Sequence, residues 1–361
     1  MKNIKKLLSC TMAATLLLSS AAFAESGIKI ETDGKLITAD QAPIEENGSV
    51  LVPLRAILEA LGQNVVYDPA TKAVTAIKNI SWVYFEVGSD EISSDEGNFK
   101  LSEPIKTVND RTMLPLDAVS KALGVKTEWD KNAKTVKIST KIGDNTITEE
   151  RISKEFKADD GTVVLTANVQ YPVISGDSEN IKKFNDILKS DAEKIASPSD
   201  EIIKYAKETY TAMKSEDREF SPCVTDRYFK NTYDKGGVIS FKYADYSDFK
   251  GAHPLTKFYS ETYRLSDGKK LTFEDIFASV GEKIAKNAFI EKIKAHPEMF
   301  FEDAEKTVNE TDIKNNFYLT ENGAVFYFNV YEIAPYAAGL QTAEIRYESG
   351  AFSDDFIKTI K

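Results

Sequence analysis

Few side chains in this 361-residue chain are equipped for chemistry: two histidines, two cysteines, a short acidic run and scattered tyrosines. His253 stands in Gly251-Ala252-His253-Pro254. A general base needs a partner that sets its tautomer and a pocket that sets its pKa. No partner motif is visible, so the expected role is a structural histidine in a tight turn. His296 precedes Pro297 at the end of a helical stretch and reads as a C-terminal cap favoured by the helix dipole. Asp90, Glu91, Asp95 and Glu96 crowd together before Gly97, but calcium wants ligands at a regular spacing that this run lacks. A solvated acidic loop is expected, with no metal. Cys223 has no neighbouring histidine or lysine cluster to favour a thiolate and reads as a small buried residue. Phosphate loops, nucleophile elbows, zinc signatures and dinucleotide fingerprints are missing. The expectation is a non-enzymatic protein with no catalytic residue and no cofactor.

Binding is the alternative to catalysis. Tyr67 and Trp129 occupy equivalent places before a turn and can either stack on sugar rings or share a packing role. Tyr327, Tyr331 and Tyr336 either line a protein-binding face or form the covered second face of a sheet. With His253, these are the candidate ligand-binding residues.

The elements that position them begin with a segment written twice. Leu51–Ala76 aligns without gaps on Met113–Ile138, sixty-two residues later. The identities include Pro53/Pro115, Leu54/Leu116, Leu61/Leu123, Gly62/Gly124, Asp68/Asp130 and Lys72/Lys134. Proline suits the first turn of a helix and glycine its C-terminal cap. Leu54, Ile57, Leu58 and Leu61 fall on one helical face. A short strand, an Asp-led turn and another strand follow. Each copy, about 35–77 and 98–139, reads as strands, helix and hairpin.

From about residue 146 to the end the pattern is α+β. Thr162–Val173 reads as a strand, and 178–196 and 198–213 as helices, with Ser197 capping the second. Three strand-like segments follow within 220–265. Ser279-x-x-Glu282 predicts a capping box for a helix burying Ala285, Phe289 and Ile293, and Asn322-Gly323 a hairpin whose second strand reaches Ile333. The expected architecture is a pair of strand-helix-hairpin repeats at 28–140, then an antiparallel sheet with helices on one face at 146–361.

Lys2, Lys5 and Lys6, an apolar stretch and Ala22-Phe23-Ala24 read as a signal peptide over 1–24, the alternative being an uncleaved anchor. Its removal takes the net charge from −11 to −14. Nucleic acid and anionic membranes are poor partners for such a chain, and a basic partner is attracted. No later stretch approaches the roughly 18–20 apolar residues that span a bilayer.

The repeated pattern Pro-Leu-x-Ala, Ala-Leu-Gly, Tyr/Trp-Asp and Lys-x-Val resembles the N-terminal stalk-like domain of copper amine oxidases, a module of exported Gram-positive proteins. That resemblance implies a non-catalytic surface module. Two histidines cannot build the three-histidine copper site of those oxidases. Gly251–Pro254, Gly268–Phe277 and Phe317 to Gly339 resemble the extracellular domain of anti-sigma-V factors, which there looks like a lysozyme receptor, and a domain preceding the catalytic domain of some peptidoglycan deacetylases. Together these imply a secreted or wall-associated protein of the Gram-positive envelope. Its repeats would attach to wall polymer or a surface partner. Its C-terminal domain would bind a protein or glycan ligand. The alternatives are a lysozyme-binding or lysozyme-inhibiting protein, and a cell-wall hydrolase with His253 as base.

Overall fold

The computed structural model describes residues 27–360, except 47, 79–80 and 95–96. The leader at 1–24, and Asp95 and Glu96 of the acidic run, therefore lie outside the described residues.

The N-terminal region runs β1 (Lys29–Thr32), β2 (Lys35–Ile37), β3 (Ile44–Glu46), β4 (Ser49–Pro53), α1 (Leu54–Ala60), β5 (Asn64–Asp68) and β6 (Ala73–Lys78). It continues with β7 (Ser81–Glu86), β8 (Glu91–Ser94), β9 (Gly97–Lys100), β10 (Lys106–Val108), β11 (Arg111–Pro115), α2 (Leu116–Leu123), β12 (Lys126–Asp130) and β13 (Thr135–Ser139). β4 and β11 pair antiparallel at the centre of one sheet, with Val52 opposite Leu114. Each enters its helix through a proline. Pro53 and Pro115 are not inside the first turn as expected: ψ values of 114° and 146° keep them extended, and the helix begins one residue later.

Leu54, Ile57, Leu58 and Leu61 are buried, as the helical period predicts. In α2 Val119 is buried, while Leu116 and Leu123 are partly buried. Both helices end on glycines with positive φ, Gly62 at +75° and Gly124 at +62°, a conformation that costs glycine nothing. A lysine approaches each end. Lys78 Nζ donates to the Leu61 carbonyl at 3.2 Å. Lys230, from the C-terminal region, places its Nζ 3.5 Å from where a Cβ on Gly124 would sit. The hairpins then diverge: β6 continues antiparallel into β7, whereas β13 takes β1 as a parallel neighbour.

The C-terminal region runs β14 (Ile147–Lys157), β15 (Val163–Ile174), α3 (Glu179–Ile195), α4 (Asp200–Ser215), β16 (Cys223–Lys235), β17 (Val238–Asp248), β18 (Leu255–Arg264) and β19 (Lys269–Lys270). It ends with α5 (Phe273–Ile276), α6 (Gly281–Ala295), α7 (Ala304–Glu310), β20 (Phe317–Thr320), β21 (Gly323–Phe328), β22 (Gln341–Arg346) and α8 (Asp354–Ile360). β14 to β19 form one long sheet in sequence order. It is not wholly antiparallel: β15 and β16 run parallel, because the two helices between them form a crossover rather than a hairpin. β20, β21 and β22 make a second sheet.

The period of two in β17 shows how these layers stack. Ile239, Phe241 and Tyr243 pack with Phe184 and Leu188 of α3. The alternate residues face the second sheet: Ser240 Oγ accepts from Leu319 N at 3.1 Å, and Lys242 Nζ lies 5.3 Å from the Tyr318 ring centre. α6 covers the outer side of that sheet, where Phe289 meets Phe328 edge-on at 4.9 Å. Helices therefore cover one face of the long sheet, and a second sheet covers part of the other.

Two predicted caps shift. Ser199, not Ser197, caps α4, accepting from Ile202 N. The capping box falls at Thr272–Asp275 rather than Ser279–Glu282, and α6 starts at Gly281 without a side-chain cap. A Cβ at Gly281 would sit 2.8 Å from the Ala351 carbonyl oxygen, so close packing takes the place of the cap.

Exposed turns are held by carboxylates. Hydrogen bonds from the Tyr210 hydroxyl, the Thr162 amide and Lys214 hold Asp160 well below the carboxylate range. The Arg264 guanidinium draws Asp267 down to about 2. Groups depressed in the folded state stabilise it above their unfolded pKa of about 3.9, and that contribution disappears as pH falls through the folded value. The thermal midpoint should therefore drop between about pH 4 and pH 2. The double variant Asp160→Asn/Asp267→Asn should show a shallower drop, and an unchanged slope would refute the assignment.

Candidate binding face

Of the candidate residues, three meet. His253 lies in the β17–β18 loop, Tyr331 and Tyr336 between β21 and β22. The His253 and Tyr336 ring centres are 4.6 Å apart, Tyr331 and Tyr336 5.5 Å, His253 and Tyr331 6.1 Å. The planes incline by only 29° to 34°. Tyr331 is 50% exposed and Tyr336 38%. Centres this close at small inclinations mean rings stacked on one another, so the cluster is a compact aromatic platform built from a stack.

Its hydrogen bonds fix a tautomer. His253 Nδ1 is 2.9 Å from the Pro254 carbonyl oxygen, which can only accept. Nδ1 therefore carries the proton, and Nε2 accepts from the Tyr331 hydroxyl at 3.2 Å. Both ring nitrogens are thus engaged, with a tyrosine where the sequence showed no partner. Tyr331 stands at φ +68°, where a bulky side chain costs on the order of 1–3 kcal/mol. The turn is closed on both sides: Glu332 N donates to the Asn329 carbonyl at 3.1 Å, and Asn329 N to Glu332 Oε2 at 2.7 Å. β21 therefore stops at Phe328, not at Ile333 as the alternation predicted.

Tyr327 is a correction. It is 1% exposed, between the two sheets, with its hydroxyl 3.2 Å from Ser260 Oγ. It anchors the layers and presents nothing to a ligand. Tyr67 and Trp129, equivalent in sequence, differ in setting. Tyr67 is 43% exposed, and Trp129 packs on the N-terminal core. They do not join the platform. Cys223 is fully buried, and burial pushes its thiol up. His296 is the C-cap residue of α6. Asp90 sits 3.6 Å from Lys100 Nζ.

The β17–β18 loop that carries His253 joins two strands whose paired residues include ones not singled out from the sequence. Tyr246 is raised by burial first, then by the charge of Asp248, while the charge of Lys250 lowers it. Tyr246 is the register partner of Asp226 on β16 and of Thr256 on β18. Asp226 is the partner of Asn168 on β15, and Asn168 of Ser153 on β14. Register partners point to one face. Ser153, Asn168, Asp226, Tyr246 and Thr256 thus form a polar row across five strands, spanning about 19 Å at the usual strand spacing. Asn168 Nδ2 donates to Asp226 Oδ1 at 2.8 Å, and the Tyr228 hydroxyl to Oδ2 at 2.9 Å. Burial, then the bond to Asp226, raises Tyr228. The period of two puts this row on the face away from α3, with Ser153 exposed and Asn168, Asp226, Tyr246 and Thr256 half-buried. Only register, which links segments far apart in sequence, reveals it.

Residues 31–138 match the copper amine oxidase N-terminal domain. Residues 269–348 match DUF3298, a protein family of unknown function. The DUF3298 match includes Tyr331 and Tyr336, while His253, Tyr246 and Asp226 precede it. No curated protein matches the chain. Among solved structures, a DUF3298 family member from Bacteroides fragilis is 20% identical, with a TM-score of 0.43, covering 61% of this chain and 98% of its own. A DUF3298 family protein from Pseudomonas aeruginosa PAO1 is 15% identical, with a TM-score of 0.40, covering 58% and 96%. Among the described residues, no helix is long and apolar enough to cross a membrane.

Proposed function

We propose that this chain is a non-enzymatic binding protein of the cell envelope, exported by its 1–24 leader. The copper amine oxidase N-terminal region serves as attachment module or spacer. The C-terminal region takes up a protein or glycan ligand on the open face of its long sheet. The observation that carries this is the exposed stack of His253, Tyr331 and Tyr336, which presents aromatic surface where the β17–β18 loop meets the β21–β22 connection. Among the described residues the His253 ring bonds the Pro254 carbonyl and the Tyr331 hydroxyl, and we assign it the role of holding the cluster together. The test is co-sedimentation of the full chain with isolated cell walls. Tyr331→Asn removes the ring while suiting the positive φ, so the fold should keep its stability and retention should fall about tenfold. Equal retention of the variant would refute the platform as the binding site.

A second reading is favoured by charge. A net charge of −11 attracts basic partners, and the resemblance to the extracellular part of anti-sigma-V factors points to a basic lysozyme. Its binding should weaken with salt and with Tyr331→Asn. Binding insensitive to both would exclude it.

A further inference from the structure

We propose that the cleft between the N-terminal repeats and the long sheet binds a small phosphate ester. This site is distinct from the aromatic cluster and does not rest on the role proposed for it.

The cleft is a cavity of about 680 Å³. Small-molecule sites usually measure roughly 300–1,000 Å³ and favour the junction of two structural units. Three parts of the chain wall it. The C-terminal ends of α1 and α2 contribute Leu61 and Leu123, the segment leading to β14 contributes Lys141 and Ile142, and β16 contributes Tyr228 and Lys230. The junction is pinned where Asp144 and Asn145 bond Asp234 at the end of β16.

Charge selects the ligand. The chain carries a net −11, yet the cleft is lined by Lys78, Lys141, Lys230 and Lys242 against Asp33 and Glu149. Both Asp33 oxygens are taken, by the Thr140 amide at 2.9 Å and its hydroxyl at 2.6 Å. Glu149 lies 3.9 Å from Arg151. Lys230 and Lys242 are register partners, and like charges directly opposite destabilise a sheet. Lys242 turns its ammonium onto the Phe258 and Tyr318 rings, 5.4 Å and 5.3 Å from their centres. Lys78 and Lys230 reach the ends of α1 and α2. A helix C-terminus carries about half a negative charge, so one lysine at each end over-compensates it. Lys141 adds a whole charge, since among the described residues its ammonium has no hydrogen bond or ion pair.

The arrangement of those charges favours phosphate. Ammonium groups arriving from a hairpin, a connecting segment and a strand are separate point charges. They suit a tetrahedral dianion, whose oxygens point apart, better than a planar carboxylate, which a single guanidinium fork matches. The rest of the wall mixes apolar side chains with amides and hydroxyls, and one of these has an unmet demand. Asn231 Oδ1 is buried with no partner among the described residues. A buried acceptor calls for a donor, which a hydroxyl on the ester supplies.

The experiment is calorimetric titration of the full chain with hexyl phosphate and with glycerol 3-phosphate, which differ in whether the body of the ester is apolar or hydroxylated. Hexanol, glycerol and hexanoate are the controls. At least one ester should bind, and its affinity should fall with added salt. Lys230→Gln should weaken it about tenfold, as loss of a charge-assisted bond does. Lys141→Gln should weaken it about two- to fivefold, as for an exposed charge pair. Lys141→Gln breaks no side-chain bond of the described residues, so it reports on the site whatever Lys230→Gln does to the thermal midpoint. Lys306→Gln on α7 removes the same charge outside the cleft and should change nothing. Tyr331→Asn should also leave ester binding intact, which separates this site from the aromatic cluster. If neither ester binds, if hexanoate binds as tightly as the esters, or if affinity survives both Lys141→Gln and Lys230→Gln, the inference is overturned.

Discussion

Replacing Gly143 by valine is expected to cost about 3 kcal/mol or more, as overpacking against an immovable wall does, and to open the junction between the two regions. The segment 140–146 leads from β13 to β14 and presses on the β16–β17 turn. A Cβ on Gly143 would overlap the Asp234 carbonyl carbon and oxygen and come within 2.6 Å of its Cβ. That wall is backbone, so no rotamer change relieves the clash. Sliding the segment away would break three bonds. Asp144 N donates to the Asp234 carbonyl at 2.9 Å, and Asn145 gives its backbone N and its Nδ2 to the two Asp234 carboxylate oxygens, each at 2.6 Å. Asp234 is 2% exposed, so an unpaired carboxylate there is costly. Urea unfolding should show the loss, and limited proteolysis should cut the variant near 140–146. Gly251→Ala is the control. A Cβ there meets nothing within 4 Å and φ lies outside the positive range, so stability should hold or rise by about 0.4–1 kcal/mol. If both variants unfold at the wild-type midpoint, the junction is not packed in this way.

Nothing in the sequence marks Gly143 as special, and the reason is general. Local patterns report on neighbours a few residues away, whereas Gly143 is constrained by a residue ninety-one positions later. What repeats locally was legible. Leu54, Ile57, Leu58 and Leu61 make one face, Gly62 and Gly124 end their helices, and Asp68 and Asp130 close turns by accepting from the amides of Ala70 and of Asn132 and Ala133. Even Lys72 and Lys134 share a positive φ, 55° and 48°. What depends on distant partners was not legible. Tyr67 and Trp129 hold the same position in the repeat yet differ in exposure, because the strands beyond β6 and β13 differ. The alternation through Phe326, Phe328 and Val330 correctly separated two faces. It could not show that Tyr327 faces a second layer, since that layer lies against β18, some sixty residues earlier. The platform was half legible: His253, Tyr331 and Tyr336 were singled out one by one, but only the fold shows them in contact.

Asn329 joins the layers to the platform, and Asn329→Ala should damage both. β21 ends at Phe328, and the next side chain crosses to β18 in the manner of a short strand. Asn329 Oδ1 accepts from Phe258 N at 2.7 Å, and its Nδ2 donates to the Phe258 carbonyl at 3.2 Å. Alanine leaves both half-buried backbone groups of Phe258 without that partner, at about 1–3 kcal/mol for an unsatisfied group. Phe258 is the register partner of Ala244 on β17, so the clamp sits where the second sheet gives way to the open face. Tyr331 follows two residues on, in a turn that Asn329 itself starts. Loss of the clamp should let that turn move, taking the Tyr331 ring off His253. Asn329→Asp separates the two bonds: it keeps an acceptor for Phe258 N and sets a carboxylate against the Phe258 carbonyl, so it should also destabilise. The effect differs in kind from that of Tyr336→Ala, which should lower ligand binding and leave stability alone. Amide hydrogen exchange gives the direct readout. Phe258 should exchange much faster in Asn329→Ala, together with a lower thermal midpoint and weaker retention on walls. Unchanged protection at Phe258 would mean that the platform is held by the Asn329–Glu332 turn alone.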